Sequence, residues 1–353
     1  MRSDLAELLR EARTAVPPPR FDIEDAVAAG RRRRMRRRAG WAGTTGAATL
    51  ALGLAATVLA PHLGRSPDPV AGSASPRTPQ FAFPADPLIG NIQAADLEGT
   101  LRMSGTVLVA PTFQAALVTR PDLPGVRIED DGTRHEYGIA AAVVVVYRPG
   151  AFDAAAFTGG EPVSVDGRPG RYLTSYQIGT GRPGGPAVAW QYAEYAWAVI
   201  AATDQRPAPS LEQLLGLAVA LRSGEPRVPS LAFRLGTVPA GFTVQAAGTA
   251  DPGLTVSLPG ESFVSLVNPG GQEIALTLHP SWWGEHHGTA GEASCPQQGL
   301  CYTTSPDGKW QVEADGRQEA GDDELLAMLR SITFADPANP YTWFPLTTAV
   351  PSS

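Results

Sequence analysis

The chain has 353 residues, with 43% hydrophobic and 18% charged side chains. That balance supports a buried core and excludes a chain that is disordered throughout. The formal charge of −7 conceals an asymmetry: residues 1–38 carry 11 arginines against 6 acidic side chains, and the remainder carries 17 basic against 29 acidic, so a basic head precedes an acidic body. Two cysteines, 33 prolines and 38 glycines point to many turns and at most one disulfide within the chain.

In chain order, residues 1–38 form a tail expected in the cytoplasm. Ser3 is placed to cap a helix whose Leu5, Leu8, Leu9, Ala12 and Val16 recur at helical spacing, and Pro17-Pro18-Pro19 ends it. So short a helix is marginal alone, so the stripe is expected either to dock on a cytoplasmic protein or to be a bland juxtamembrane element. Leu5, Leu8, Leu9 and Ala12 are the candidate partner-binding residues.

The run Arg31–Arg38, broken only by Met35, abuts an uncharged stretch from Trp41 to Ala60. At a rise of about 1.5 Å per residue that stretch matches a bilayer of about 30 Å. Residues 39–63 are therefore expected to be a transmembrane helix, oriented with the N-terminus inside because arginine is retained on the cytoplasmic side. The rival reading is a signal peptide cleaved after Val58-Leu59-Ala60. Either reading exports the rest of the chain. No direct nucleic-acid partner is expected, because the abutting span accounts for the arginine run.

Residues 64–87 hold six prolines among Gly, Ser and Ala and read as an extended linker. Beyond it, the sequence shows an ordered series that occurs twice: Ile139–Tyr147, Arg171–Ser175, Trp197–Val199 and Glu212–Leu215, then Ile274–Leu278, Cys301–Ser305, Trp310–Val312 and Asp323–Leu326. This divergent repeat predicts two antiparallel-sheet-plus-helix units, 88–227 and 228–337, followed by a tail at 338–353. The fold class expected is α+β, preceded by one transmembrane helix. Ser210 and Gln213 make a capping-box pair for the first terminal helix, and Asp322, Asp323 and Glu324 favour the N-terminus of the second.

Chemistry-bearing motifs are few. Cys295 and Cys301 flank a Pro/Gly turn in an exported region, which predicts a disulfide. His279, His286 and His287 lie nearby, but their spacing matches no standard zinc pattern and a disulfide consumes both thiolates, so no metal is expected. Trp282-Trp283 read either as core anchors or as a stacking platform for a sugar or peptide. The glycine-rich 179–185 lacks the Lys-Ser/Thr of a phosphate loop, and Gly260-Glu261-Ser262-Phe263-Val264 lacks the second glycine of a nucleophile elbow. Neither catalytic residues nor a cofactor is expected; an exported hydrolase is the enzymatic alternative.

The residues Asp4–Ala12, Pro17–Asp22 and the arginine run resemble actinobacterial single-pass proteins of the anti-sigma-factor type, encoded beside extracytoplasmic-function sigma factors. The resemblance covers about the first 60 residues. It implies a cytoplasmic tail that holds a sigma factor and an outer domain that senses the envelope. The zinc-binding His/Cys motif of many such proteins is absent, since residues 1–38 contain neither His nor Cys. The outer repeat is similar to envelope lipoprotein-carrier and sigma-regulator sensor domains. The function expected is thus a non-catalytic, membrane-anchored regulator or sensor. The alternative is an extracytoplasmic binding module for lipid, glycan or peptide, anchored by its N-terminus.

Overall fold

The computed structural model describes residues 80–94, 101–129, 132–176, 184–203, 207–250, 256–258, 260–283, 288–316 and 320–351. The tail with Leu5, Leu8, Leu9 and Ala12, the span 39–63, and His286 and His287 lie outside these residues.

Short runs rich in Val, Ala, Thr and aromatic side chains, separated by glycine turns, form strands throughout. In the first half these are β1 (Gly90–Ala94), β2 (Arg102–Met103), β3 (Leu108–Ala110), β4 (Phe113–Thr119), β5 (Gly125–Ile128), β6 (Arg134–Tyr147), β7 (Glu161–Val165), β8 (Arg168–Leu173), β9 (Ala187–Ala193) and β10 (Ala196–Ala202). Helix α1 (Leu211–Ala220) and β11 (Leu221–Arg227) close that half. The second half comprises β12 (Ser230–Leu231), β13 (Phe233–Arg234), β14 (Thr243–Gly248), β15 (Val256–Ser257), β16 (Ser262–Val267), β17 (Glu273–Pro280), β18 (Ala293–Gln297), β19 (Leu300–Thr304) and β20 (Trp310–Asp315). Helix α2 (Asp322–Arg330), β21 (Thr333–Phe334), β22 (Phe344–Pro345) and α3 (Leu346–Ala349) complete it.

The α+β expectation is corrected by this inventory: the described residues are predominantly antiparallel β-sheet, with three short α-helices. None of their helices is long and apolar enough to cross a membrane. The expected transmembrane segment therefore has no counterpart among the described residues, outside which 41–60 lies. The two units at 88–227 and 228–337 are also not separate sheets. A single 16-stranded sheet runs through both, along the path β18-β19-β20-β17-β16-β14-β3-β4-β6-β10-β9-β8-β7. The physical reason is the edge: β3 and β14 would each leave a row of backbone groups unpaired, and pairing them antiparallel, Ala247 with Val109 and Gly248 with Leu108, removes both edges.

The order of strands around that join is the same on both sides. Reading outward from it, β3-β4-β6-β10-β9-β8 answers to β14-β16-β17-β20-β19-β18, and each series is followed in the chain by a helix. A flanking two-stranded ladder matches as well, β1 with β11 and β13 with β21.

Each half buries its own helix. In α1 the capping box forms, Gln213 N donating to Ser210 Oγ at 3.2 Å and Ser210 N to Gln213 Oε1 at 2.9 Å. Leu214, Leu217 and Ala218 pack beneath it against Trp190, Ile200 and Val144. Leu325, Met328 and Leu329 of α2 pack against Leu276, Val312 and Cys301.

Phe81, Leu346 and Ala349 belong to these cores. In the stretch expected as linker, Gln80 donates through Nε2 to the carbonyls of Ala218 and Leu221, Phe81 is buried, and Arg148 donates to Pro84 O at 3.0 Å. In the stretch expected as tail, Leu346 and Ala349 are buried in the second core.

Candidate functional site

The first half carries an insertion that the second lacks. Strand β17 begins directly after the turn at 268–272, whereas β6 is preceded by β5 and extends to 14 residues. The β5–β6 hairpin is an arm built by alternation: Gly125 faces Tyr137, Val126 faces Glu136, Arg127 faces His135 and Ile128 faces Arg134. Odd positions of β5 and their partners share one face of the ribbon. Tyr137 lies directly over Gly125, where any Cβ would collide with its ring; the glycine is needed for that close approach.

The odd-numbered face meets the turn after β17. Trp282 stacks on His135 with ring centroids 4.3 Å apart and planes at 8°. Trp283 meets Tyr137 edge-on at 5.0 Å, and the two indoles lie 6.0 Å apart, nearly perpendicular. Arg127 Nη1 donates to Trp283 O at 2.7 Å and its guanidinium carbon sits 5.8 Å from the Trp283 ring centre. His135 Nε2 is 3.2 Å from Glu129 Oε1, an ion-pair distance that lacks hydrogen-bond geometry. Strand β15 adds a second tie from the second half, pairing Val256 with Ile139 and Ser257 with Gly138. Beside the arm, residues 119–121, 124 and 136–138 line a shallow depression of about 310 Å³.

Trp282 and Trp283 are thus brought together, half-buried, against the arm. They lie in a turn, so they do not take the opposite faces that a strand would give them. One face of Trp282 is occupied by His135. Arg127, His135 and Tyr137 were not among the sequence candidates. Their signal was the period-2 alternation on either side of Asp130-Asp131-Gly132, a turn sequence suited to a hairpin.

His279 lies in β17, buried, with Nδ1 3.0 Å from Pro280 O. Burial lowers its pKa and favours the neutral ring. That contact makes Nδ1 the donor and orients the imidazole as a core group.

Cys295 and Cys301 form a disulfide across the β18–β19 turn. Asp322, at the start of α2, approaches both sulfurs and accepts from Gly299 N at 2.8 Å through Oδ1. The thiolates are consumed, so the cluster pins the turn to the helix. Replacing both cysteines with serine is expected to cost about 2 kcal/mol, the loop-closure value for so short a ring. Denaturant unfolding of the oxidised protein and the double variant measures it; indistinguishable midpoints would refute the role.

No protein-family model matches the chain, and no curated protein matches it.

Proposed function

We propose that the chain is a non-catalytic regulatory protein attached to the membrane by its N-terminal region. Residues 1–38 lie inside, and the β-sheet body lies outside the cytoplasm. The observation that carries the outer placement is the Cys295–Cys301 disulfide, a bond that persists in oxidising compartments. The charge asymmetry supports the same orientation, because the arginine run abuts the uncharged span from Trp41 to Ala60.

The regulatory half of the reading rests on the tail. Leu5, Leu8, Leu9 and Ala12 form an apolar stripe that orientation of the span does not require. A cytoplasmic partner of the sigma-factor kind would bury it, each leucine contributing roughly 1.5–3 kcal/mol before ordering costs. Replacing Leu5 and Leu9 with Asp in the full chain is expected to abolish recovery of that partner while leaving the protein in the membrane fraction. Recovery of the same proteins by parent and variant would overturn the regulatory reading.

A second reading is favoured by the arm. A cluster of two indoles, a phenol, an imidazole and a guanidinium suits a glycan or peptide better than a lipid chain. Between α1 and its sheet, Leu214, Leu217 and Ala218 are fully or nearly fully buried against Trp190 and Ile200, so an acyl chain finds no room there.

A further inference from the structure

The large sheet ends at two edges that are guarded. Strand β7 carries Pro162, and β18 carries Pro296 together with a register irregularity beside the disulfide. Proline and bulges are the usual devices against edge-to-edge pairing. The outer edge of β5 has neither. Among the described residues β5 pairs only with β6. Glu129 N donates to Thr133 O at 2.9 Å, which makes 129 and 133 a hydrogen-bonded pair. Alternation along an antiparallel ladder then turns Arg127 toward β6 and the backbone groups of Val126 and Ile128 toward the open edge. The side chains of those two residues are 41% and 67% exposed, and neighbouring Leu123 is 44% exposed.

We propose that this edge is a self-association surface, where β5 pairs antiparallel with β5 of a second copy about a two-fold axis through Ile128. The charges on the strand select the occupant and the register. Centred on Ile128, the two isoleucines stand opposite each other, and Arg127 of each copy stands opposite Glu129 of the other. Opposite charges in cross-strand positions favour a ladder and like charges oppose it. Centred one residue earlier, the same strand would set Arg127 against Arg127. A two-fold interface is self-complementary, and a strand in which Arg and Glu flank an exposed isoleucine meets that condition. The paired segment is short, so the association is weak and reversible.

The test is register-specific cross-linking of the full chain in detergent micelles. The native cysteines are bonded to each other and leave no free thiol among the described residues. Single variants Ile128→Cys, Val126→Cys and Tyr195→Cys are treated with a short bis-maleimide. Tyr195 is 71% exposed at the β9–β10 turn and serves as the accessibility control. All three positions are solvent-facing, so the fold tolerates the change. The expected result is a covalent dimer at Ile128→Cys in at least ten-fold higher yield than at Tyr195→Cys, with Val126→Cys lower than Ile128→Cys. Adding Glu129→Arg to Ile128→Cys sets the new arginine against Arg127 of the other copy, leaves Arg127 on Trp283, and should lower the dimer yield at least ten-fold. Equal yields at positions 128 and 195, or no dimer at 128, would overturn the proposal. So would an unchanged dimer yield when Glu129→Arg is added to Ile128→Cys. None of these outcomes depends on whether the N-terminal tail captures a partner.

Discussion

A Gly248→Val variant is expected to unfold at lower denaturant concentration than the parent, by about 2–3 kcal/mol. Gly248 ends β14 at the strand pair that joins the two halves, opposite Leu108 of β3 on one side and Phe263 of β16 on the other. A Cβ built at this position falls on the carbonyl oxygen of Val107 and crowds Leu108 Cα. Those atoms are backbone, so no rotamer change relieves the clash. The same Val107 oxygen accepts from Thr249 N at 2.7 Å, which locks the approach. Valine has the higher intrinsic preference for strands, so without the steric term its sign would be favourable. The geometry reverses it, because β14 must move away from β3 and break the join. Gly248→Ala should show a smaller loss in the same direction. Variants as stable as the parent would show that β3 and β14 do not meet as closely as described.

This join also marks where reading from residues stops. The helices were legible because their signals are local. Ser210 and Gln213 three residues apart, and three acidic residues opening 322–324, each identify a helix end without reference to the rest of the chain. The disulfide was legible from spacing and compartment. Strand β3 was not. Three residues, Leu108–Ala110, carry no measurable period, and although β4 is their neighbour in the chain, their other partner, β14, lies more than a hundred positions away. Many strands here are Ala- and Ser-rich rather than purely β-branched. The two well-marked helices therefore outweighed the sheet in the expected fold class. Composition also misled at 80–87, where prolines suggested a linker but Gln80, Phe81 and Phe83 are anchored on the first half. Of the aromatic site, Trp282-Trp283 is legible as a doublet. The His135 and Tyr137 rings that receive them are placed by the hairpin register and lie far from the doublet in sequence.

Trp190→Ala is expected to produce the largest loss of stability of any single truncation in the first half, about 3–5 kcal/mol. The side chain is fully buried in β9, on the helix-facing side of the sheet with Val188 and Tyr192, beneath Leu214 and Leu217. Its truncation leaves a void that strands hydrogen-bonded on both sides cannot collapse to fill. A second cost is polar. Trp190 Nε1 donates to Gln80 Oε1 at 3.0 Å, while Gln80 Nε2 donates to Ala218 O at 2.7 Å and Leu221 O at 3.0 Å. One glutamine thus ties the sheet to the carbonyls at the end of α1. Trp190→Phe separates the two terms, because it keeps most of the apolar volume and removes the donor. Its expected cost is about 1 kcal/mol, the loss of one hydrogen bond to a partly buried acceptor. Gln80→Ala should cost less in the Trp190→Phe background than in the parent, since the residues share one network and their effects are not additive. Denaturant midpoints for the four proteins provide the cycle. A Trp190→Ala loss below about 1 kcal/mol would contradict the packing. Fully additive single effects would instead show that Gln80 and Trp190 act independently. If the cycle shows coupling, Gln80 is held by the same core that seats α1.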